Sequence, residues 1–459
     1  MRVPIVCADE RLRQYAQTFA DCFSRPQYKH FVTVLLGLLL CRGKRTLTGL
    51  FSSVAVKTSV AALSRFLSEA PWKPSEVARR WRERFDHTLA PRVAQHHADH
   101  RAAQPKRVGR PKASVVTGYL IGDDSTCQKL RGKQMEGLGY HYSTTMGATV
   151  RGHSLVLSLY VLLGRRCPLT PQLYRQKKTC EAEGVAFRSK VELMVETIRD
   201  FAPLSDTHTH VLLDAWYRIW GCAGVWMMTD THTHVLLDAW YSAKVIWKTA
   251  RERGFDITSG LKGNRLVRIR DKGCRGGWQW LSLDAYAARL KEEDYTAMTW
   301  PRQDGEGRTV YVYAAAKTIQ KLGRVQLLIV REKRDGTLTA PRFWASSDMK
   351  ADAKALLAHV AARWDIEVLF ADAKELLGLD HYQLMSAQAL VRFWTLVLTA
   401  YVFLEEQRAL LEHDWQQPIS IGQALHEIQQ VHWFHFLTWM QQQFRAGHNP
   451  ATIFRQLAA

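Results

Sequence analysis

The sequence has little that would fix a protein in a membrane or outside a cell. Its longest apolar runs, Phe31 to Cys41 and Phe393 to Leu404, fall short of the roughly 18–20 residues a bilayer needs and read as buried helices. The opening MRVPIVCADERLRQY has no apolar stretch followed by a small-residue cleavage site, so no signal peptide is expected. The eight cysteines (Cys7, Cys22, Cys41, Cys127, Cys167, Cys180, Cys222, Cys274) are scattered without a CxxC pair. That excludes a zinc ribbon and a disulfide framework and fits a reducing cytoplasm. Acids are scarce too, with 43 Asp+Glu against 63 Lys+Arg, a net charge of +20 on 459 residues. Such an excess favours a polyanionic partner, either nucleic acid or an anionic membrane surface. Hydrophobic residues make up 47% and aromatic residues 10%, which supports a large core and excludes disorder as the main state. At roughly 150 residues per domain the length suggests about two to four domains.

Residues 1–98 carry helix-period apolar residues over Leu12 to Phe23, His30 to Cys41, Ser59 to Leu67 and Ser75 to Leu89. Ser59 is placed to cap one helix of a possible helix-turn-helix within this expected DNA-binding region. Residues 99–114 read as a basic linker. Arg101, Lys106, Arg107, Arg110 and Lys112 stand there without an acid, suited to lying along phosphates. From Val115 the period changes. VVTGYLIGDDST, GYHYSTTMGATV, SLVLSLYVLLG, VLLDAW and FDITSGLK read as strands, with helices at VELMVETIRDF and SAKVIWKTARERG. This predicts an α+β or α/β mixed sheet over 115–264. Residues 265–348 read as an antiparallel β-rich insertion, 349–400 as the final helices of the core, and 401–459 as a C-terminal helical region.

One segment occurs twice. DTHTHVLLDAWY begins at Asp206 and again at Asp230, a period of 24 residues. Two copies do not make a solenoid, so the span 206–241 reads as a local tandem duplication, and only one copy can fill a given strand. The second leads straight into an amphipathic helix, which places the sheet strand there. The paired histidines His208 and His210, and His232 and His234, lack Cys or carboxylate partners at zinc-site spacing. They read as solvated or turn residues, as do His96, His97 and His100.

Carboxylates mark the chemistry. Asp123 and Asp124 end one apolar strand and Asp238 ends another, where strand ends bring side chains together at a sheet edge. In ARWDIEVLFADAKELLG, Arg363, Glu367 and Lys374 are four and seven residues apart. At 100° per residue these offsets fall within about 40° of one stripe. Val360 and Phe370 share that side, which points to a polar cluster over a partly buried site. Phosphodiester chemistry uses two hard cations about 4 Å apart, and Mg²⁺ prefers carboxylate oxygen. An arginine nearby can hold a phosphate oxygen.

These blocks together resemble the bacterial insertion-sequence transposases of the DDE type, with an RNase H-like core. DDST follows a strand. VLLDAWYSAKVIWKTARERGFDITSGLKGNR is similar to the second-aspartate block. RWDIEVLFADAKELLGL is similar to the third block of the branch reading Tyr-x2-Arg-x3-Glu-x6-Lys, matched by Arg363, Glu367 and Lys374, with Val360 at the tyrosine position. The similarity spans about residues 115 to 400. It implies an RNase H-like mixed-sheet core interrupted by the β insertion and flanked by helical regions. It also implies Asp124 as first metal ligand with Asp123 competing, Asp238 as second with Asp214 as its duplicate, and Glu367 as third. The cofactor would be two Mg²⁺ ions, replaceable by Mn²⁺. Arg363 and Lys374 would contact DNA near the cut, and Lys106, Arg107, Arg110 and Lys112 would contact it from the linker. The implied partners are double-stranded DNA at transposon ends and target, and a second copy in a homodimer, with no membrane role. The implied setting is a bacterial cytoplasm, at the nucleoid. The resemblance further implies terminal-repeat cleavage and strand transfer, and in this branch a hairpin step with a base flipped onto an aromatic residue such as Trp278, Trp280 or Trp300. Two rival readings remain. One is a non-catalytic, decayed relative, motivated by the duplication beside Asp238, because a shift of about 1 Å can cost roughly a hundredfold in rate. The other is a structure-selective nuclease.

Overall fold

Apolar residues from Val115 onward build the strand around which the sheet is arranged. The computed structural model describes residues 3–4, 8–55, 58–103, 115–132, 134–143, 146–204, 230–271, 273–274, 276–300 and 307–458. Its main sheet has 13 strands. The first seven are β1 (Val115–Gln128), β2 (Gly139–Ser143), β3 (Ala148–Leu162), β4 (Arg165–Pro168), β5 (Gln172–Tyr174), β6 (Asp230–Leu237) and β7 (Asp256–Leu261). The rest are β8 (Leu266–Arg270), β9 (Trp278–Ser282), β10 (Thr296–Trp300), β11 (Arg308–Ile319), β12 (Gly323–Arg331) and β13 (Arg342–Ser346). The spatial order is β9-β8-β11-β12-β13-β7-β6-β1-β3-β2, with β10 beside β11, and β4 and β5 beside β3. Strands β1, β6 and β7 run parallel to one another and the other pairings are antiparallel. The protein is therefore an α+β fold on a mixed sheet.

Around the sheet lie α1 (Glu10–Gln17), α2 (Arg25–Leu40), α3 (Leu47–Ser53), α4 (Val60–Ser68), α5 (Pro74–Ala102), α6 (Lys177–Glu183) and α7 (Lys190–Asp200). They are followed by α8 (Lys244–Glu252), α9 (Leu283–Ala287), α10 (Ala353–Ala362), α11 (Asp365–Glu375), α12 (Ala387–Trp415), α13 (Ile421–Arg445) and α14 (Pro450–Ala458). Ser59 caps α4 by accepting from the Ala62 amide, as its position before an apolar helix predicts.

The structure redraws several expectations. GYHYSTTMGATV spans parts of two strands, β2 and β3, instead of one. The β-rich insertion continues the core sheet, because β13 pairs with β7, Phe343 standing opposite Leu261. The expected boundary at residue 400 falls inside α12. That helix is long and apolar enough to cross a bilayer by composition, but most of it is buried by its neighbours. Tyr15 donates to the Thr399 carbonyl at 2.8 Å, and buried Arg392 donates to the carbonyls of Leu67 and Trp72, both at 2.8 Å. The N-terminal helices thus share one apolar core with the sheet. His234, expected to be solvated, is buried in β6, its Nε2 2.8 Å from Thr258 Oγ1. His97 is buried as well. In both cases neighbouring apolar elements cover a residue that a local pattern would leave in water.

A buried ionic network ties α12 to the sheet and to α11. Glu405, 1% exposed, accepts from Arg408 at 2.7 and 2.8 Å and from the Arg166 amide at 3.2 Å, with Arg165 at 3.7 Å. The Arg166 guanidinium reaches on to Asp365 at 2.6 Å, at the first turn of α11, where a carboxylate also favours the helix dipole. Removing one partner of such a network leaves buried charge uncompensated. Glu405→Ala should therefore lower stability by about 3–5 kcal/mol. Chemical denaturation of the two proteins reads this directly, and an unchanged midpoint would refute it.

Candidate active site

The parallel register of β1 and β6 sets the site. Gly122 pairs with Leu237 as the last matched residues, so Asp238 follows the end of β6 beside Asp123, which lies inside β1 and not at its end as the sequence suggested, because β1 runs on to Gln128 against β3. A Cβ at Gly122 would crowd the tip of the Met194 side chain of α7 and a methyl of Leu237, which would have to shift. Its absence lets α7 close over the sheet just before the carboxylates. Asp238 leaves β6 in extended conformation and starts the short 3₁₀ turn Ala239–Tyr241.

Side chains alternate along a strand, and this divides the two aspartates. Asp123 faces α11. Arg363 Nη1 lies 3.5 Å from Asp123 Oδ2, and its Nη2 donates to Glu367 Oε1. One guanidinium therefore joins the middle of β1 to the helix that carries Glu367. Lys374, two turns further along, donates to the Thr126 carbonyl at 3.1 Å, so Arg363, Glu367 and Lys374 do face β1, although the single helix expected for them is broken after Ala362 and Arg363 caps α10 instead of standing in α11. Lys374 spends its charge on that strand. Val360, at the tyrosine position of the motif, is buried in an apolar cluster with Val310, Val312 and Leu328, and supplies no hydroxyl.

Asp124 faces the other way. Its Oδ1 accepts from the Tyr241 hydroxyl at 3.0 Å, and its Oδ2 lies 2.5 Å from Lys190 Nζ and 3.4 Å from Ser154 Oγ. Its backbone amide donates to Asp123 Oδ1 at 2.8 Å. The sequence preference for Asp124 as first ligand meets a geometric objection, since its carboxylate is already engaged away from Glu367 while that of Asp123 turns toward it. The bond from Tyr241 to Asp124 ties the segment after Asp238 to the strand of Asp123. Lys190 and Tyr241 are the residues that the sequence reading missed. Tyr241 stands in the quoted DAWY, but nothing in the sequence shows its reach across 117 positions.

The electrostatics follow from this crowding. Burial pushes the Asp123 carboxyl up from 3.8 to about 7, opposed by Arg363 and reinforced by the charges of Asp124 and Asp238. Burial, together with the charges of Asp124 and Asp123, raises Tyr241 well above its ordinary value, so it stays a hydroxyl donor.

The donor set of Asp123, Asp238 and Glu367 suits a hard divalent cation. Carboxylate oxygens within β1, just after β6 and on a helix offer the right chemistry, and the strained ionisation of Asp123 is what a cation would relieve. As placed, with the Arg363 guanidinium between Asp123 and Glu367, no three His, Cys, Asp or Glu among the described residues form a closed group for an ion. Asp214 and the linker residues Lys106, Arg107, Arg110 and Lys112 lie outside the described residues. Trp278 and Trp280 are exposed on β9, with Arg268 4.5 Å from the Trp278 ring. Trp300 packs against Trp344 with ring centroids 6.3 Å apart.

Two family models match the chain. One describes a DDE superfamily endonuclease and covers residues 18–220, which include Asp123, Asp124 and Asp214. The other describes a transposase DDE domain and covers residues 189–403, which include Asp214, Asp238 and Glu367. No curated protein matches. Among solved structures, the chain is similar to the piggyBac transposase synaptic complex with hairpin DNA. The identity there is 9% and the TM-score 0.38, over 100% of this chain and 85% of that one.

A carboxyl raised in the folded state stabilises the fold while it is protonated, and that stabilisation is lost as pH rises through its folded value. For metal-free protein the Asp123 contribution is full below about 4 and disappears as pH passes about 7. Asp123→Asn should therefore raise the melting temperature relative to wild type at pH 8 more than at pH 4. Thermal melts in chelator at the two pH values check this, and an equal shift at both would contradict it.

Proposed function

We propose that this chain, which belongs to the DDE transposases, binds the terminal inverted repeats of a transposable element and moves the element by cutting and rejoining DNA strands. The observation that carries the reading is the approach of two acids on adjacent strands and the linking of a third to them through an arginine. Asp123 and Asp238 follow the last paired residues of adjacent parallel strands, and Glu367 is joined to Asp123 through Arg363. In this reading Asp123 takes the place of first ligand that the sequence pattern offered to Asp124.

The residues divide the work. Asp123, Asp238 and Glu367 would hold Mg²⁺ or Mn²⁺, which supplies an activated oxygen nucleophile and stabilises the leaving oxygen. Arg363 neutralises the acids and, with DNA bound, is placed to hold a nonbridging phosphate oxygen in bidentate fashion. Tyr241 and Lys190 hold Asp124, and through its backbone the position of Asp123. The basic linker at Lys106, Arg107, Arg110 and Lys112 follows the DNA backbone. Two ends are paired by two copies of the chain, which work at the bacterial nucleoid.

A nicking assay on duplex bearing the inverted repeats that flank the gene tests the reading. Asp123→Asn, Asp238→Asn and Glu367→Gln should each lower cutting by at least about a hundredfold while sparing binding. Tyr241→Phe, which loses only an outer support, should lower it by roughly 10–100-fold. Wild-type protein that binds these ends yet never cuts them in Mg²⁺ or Mn²⁺ would instead identify a non-catalytic relative. Normal cutting by Asp238→Asn with loss in Asp214→Asn would move the second ligand to the first repeat copy.

A further inference from the structure

A groove of about 570 Å³ lies between α8 and the turn joining β11 to β12, and none of the roles above uses it. Its charged lining is Lys244, Lys248, Arg251 and Lys321 against one acid, Glu252, which stands 3.5 Å from Lys248. Among the described residues, neither Lys244 nor Lys321 has an acidic partner. Lys244, Lys248 and Arg251 fall on one face of α8, and from first to last they span about 10 Å, the length of roughly three base steps of one DNA strand.

The walls are fixed in place. Arg251 donates to the Leu322 carbonyl at 3.3 Å and lies 5.6 Å from the ring centre of Trp247, which is 1% exposed. The opposite wall turns sharply, with Lys321 at φ 69° and Gly323 at φ 83°. A lysine in this left-handed conformation is uncommon and marks a turn held by its surroundings. Leu322 donates back to the Ile319 carbonyl at 3.1 Å, and Gln320 to Leu266 at 2.9 Å. The groove starts at the first residue of α8, six positions after Asp238, and the Arg265 guanidinium donates to the Ser242 carbonyl in the intervening turn.

We infer that this groove is a second DNA-contacting surface, a track for the sugar–phosphate backbone of the duplex as it leaves the cut. The inference rests on the DNA-cutting reading and gives it a route. Charge selects the occupant. Four cations along a helix and a rigid turn match consecutive phosphates, and the single aromatic in the lining, Trp247, is buried beneath Arg251 and offers no face to a base. The track therefore positions DNA without reading its sequence.

The test uses full-length protein and a mixed-sequence duplex of about 30 base pairs, titrated at several salt concentrations. The variant is Lys244→Ala with Lys321→Ala, two exposed side chains. Each lost phosphate contact lowers the slope of log K against log salt by about 0.9, so the double variant should lose nearly two units of slope and bind at least about tenfold more weakly at low salt. Lys244→Arg with Lys321→Arg should restore both. A wild-type slope in the alanine double variant overturns the track, as does a groove that takes an acidic peptide while duplex binding is unchanged. The two readings fail separately. If wild type cuts and the double variant keeps its slope, only the track falls. If wild type never cuts but binds with a slope that depends on Lys244 and Lys321, the track stands and the cutting reading falls.

Discussion

The register between β1 and β6 is the constraint on which the rest depends. It puts two aspartates side by side where water is mostly excluded, an arrangement that costs free energy unless positive charge answers it. Arg363 is the answer the fold provides, and it comes from the C-terminal cap of α10, just before the helix that carries Glu367. The supports can be read outward from this point. Gly122 lets α7 approach, Tyr241 ties the end of β6 to β1, and Lys374 anchors α11 on the Thr126 carbonyl. The buried network of Arg166, Asp365, Glu405 and Arg408 then holds α11 and α12 to β4. A cluster of like charges is stable only inside such a frame.

The adjacent acids Asp123 and Asp124 show how strand geometry assigns different work to one dipeptide. One carboxylate turns to the helix with Glu367. The other turns to Lys190 and Tyr241, where a lysine and a phenol satisfy it. The second set braces the first, because the Asp124 amide donates to the Asp123 carboxylate. Bracing of this kind orients metal-binding side chains in many sites. It gives Asp124 a physical reason to stand beside Asp123 without sharing its role.

Much of this was legible beforehand, and the gaps have physical causes. The strand end at Asp238 and the common facing of Arg363, Glu367 and Lys374 follow from local periodicity, which one chain segment carries by itself, whereas the run of β1 past Asp123 to Gln128 and the helix break at Arg363 do not. The second copy of DTHTHVLLDAWY forms β6, as its continuity with α8 suggested. The choice between Asp123 and Asp124 was not local. A period of two says that they face apart, but not which face receives the helix. The same limit applies to Lys190, to buried His234, and to the β-rich stretch that extends the core sheet through β13. Each depends on a partner far away in sequence, and no spacing rule reaches that far.

Binding of Mn²⁺ to the full-length protein, followed by calorimetry or by the signal of the bound ion, tests the arrangement most directly. Asp123→Asn should lose binding by at least about tenfold, while Asp124→Asn keeps most of it and Lys190→Ala behaves like Asp124→Asn. Loss on Asp124→Asn with binding retained by Asp123→Asn would contradict the account, because the ion would then sit on the face away from Glu367.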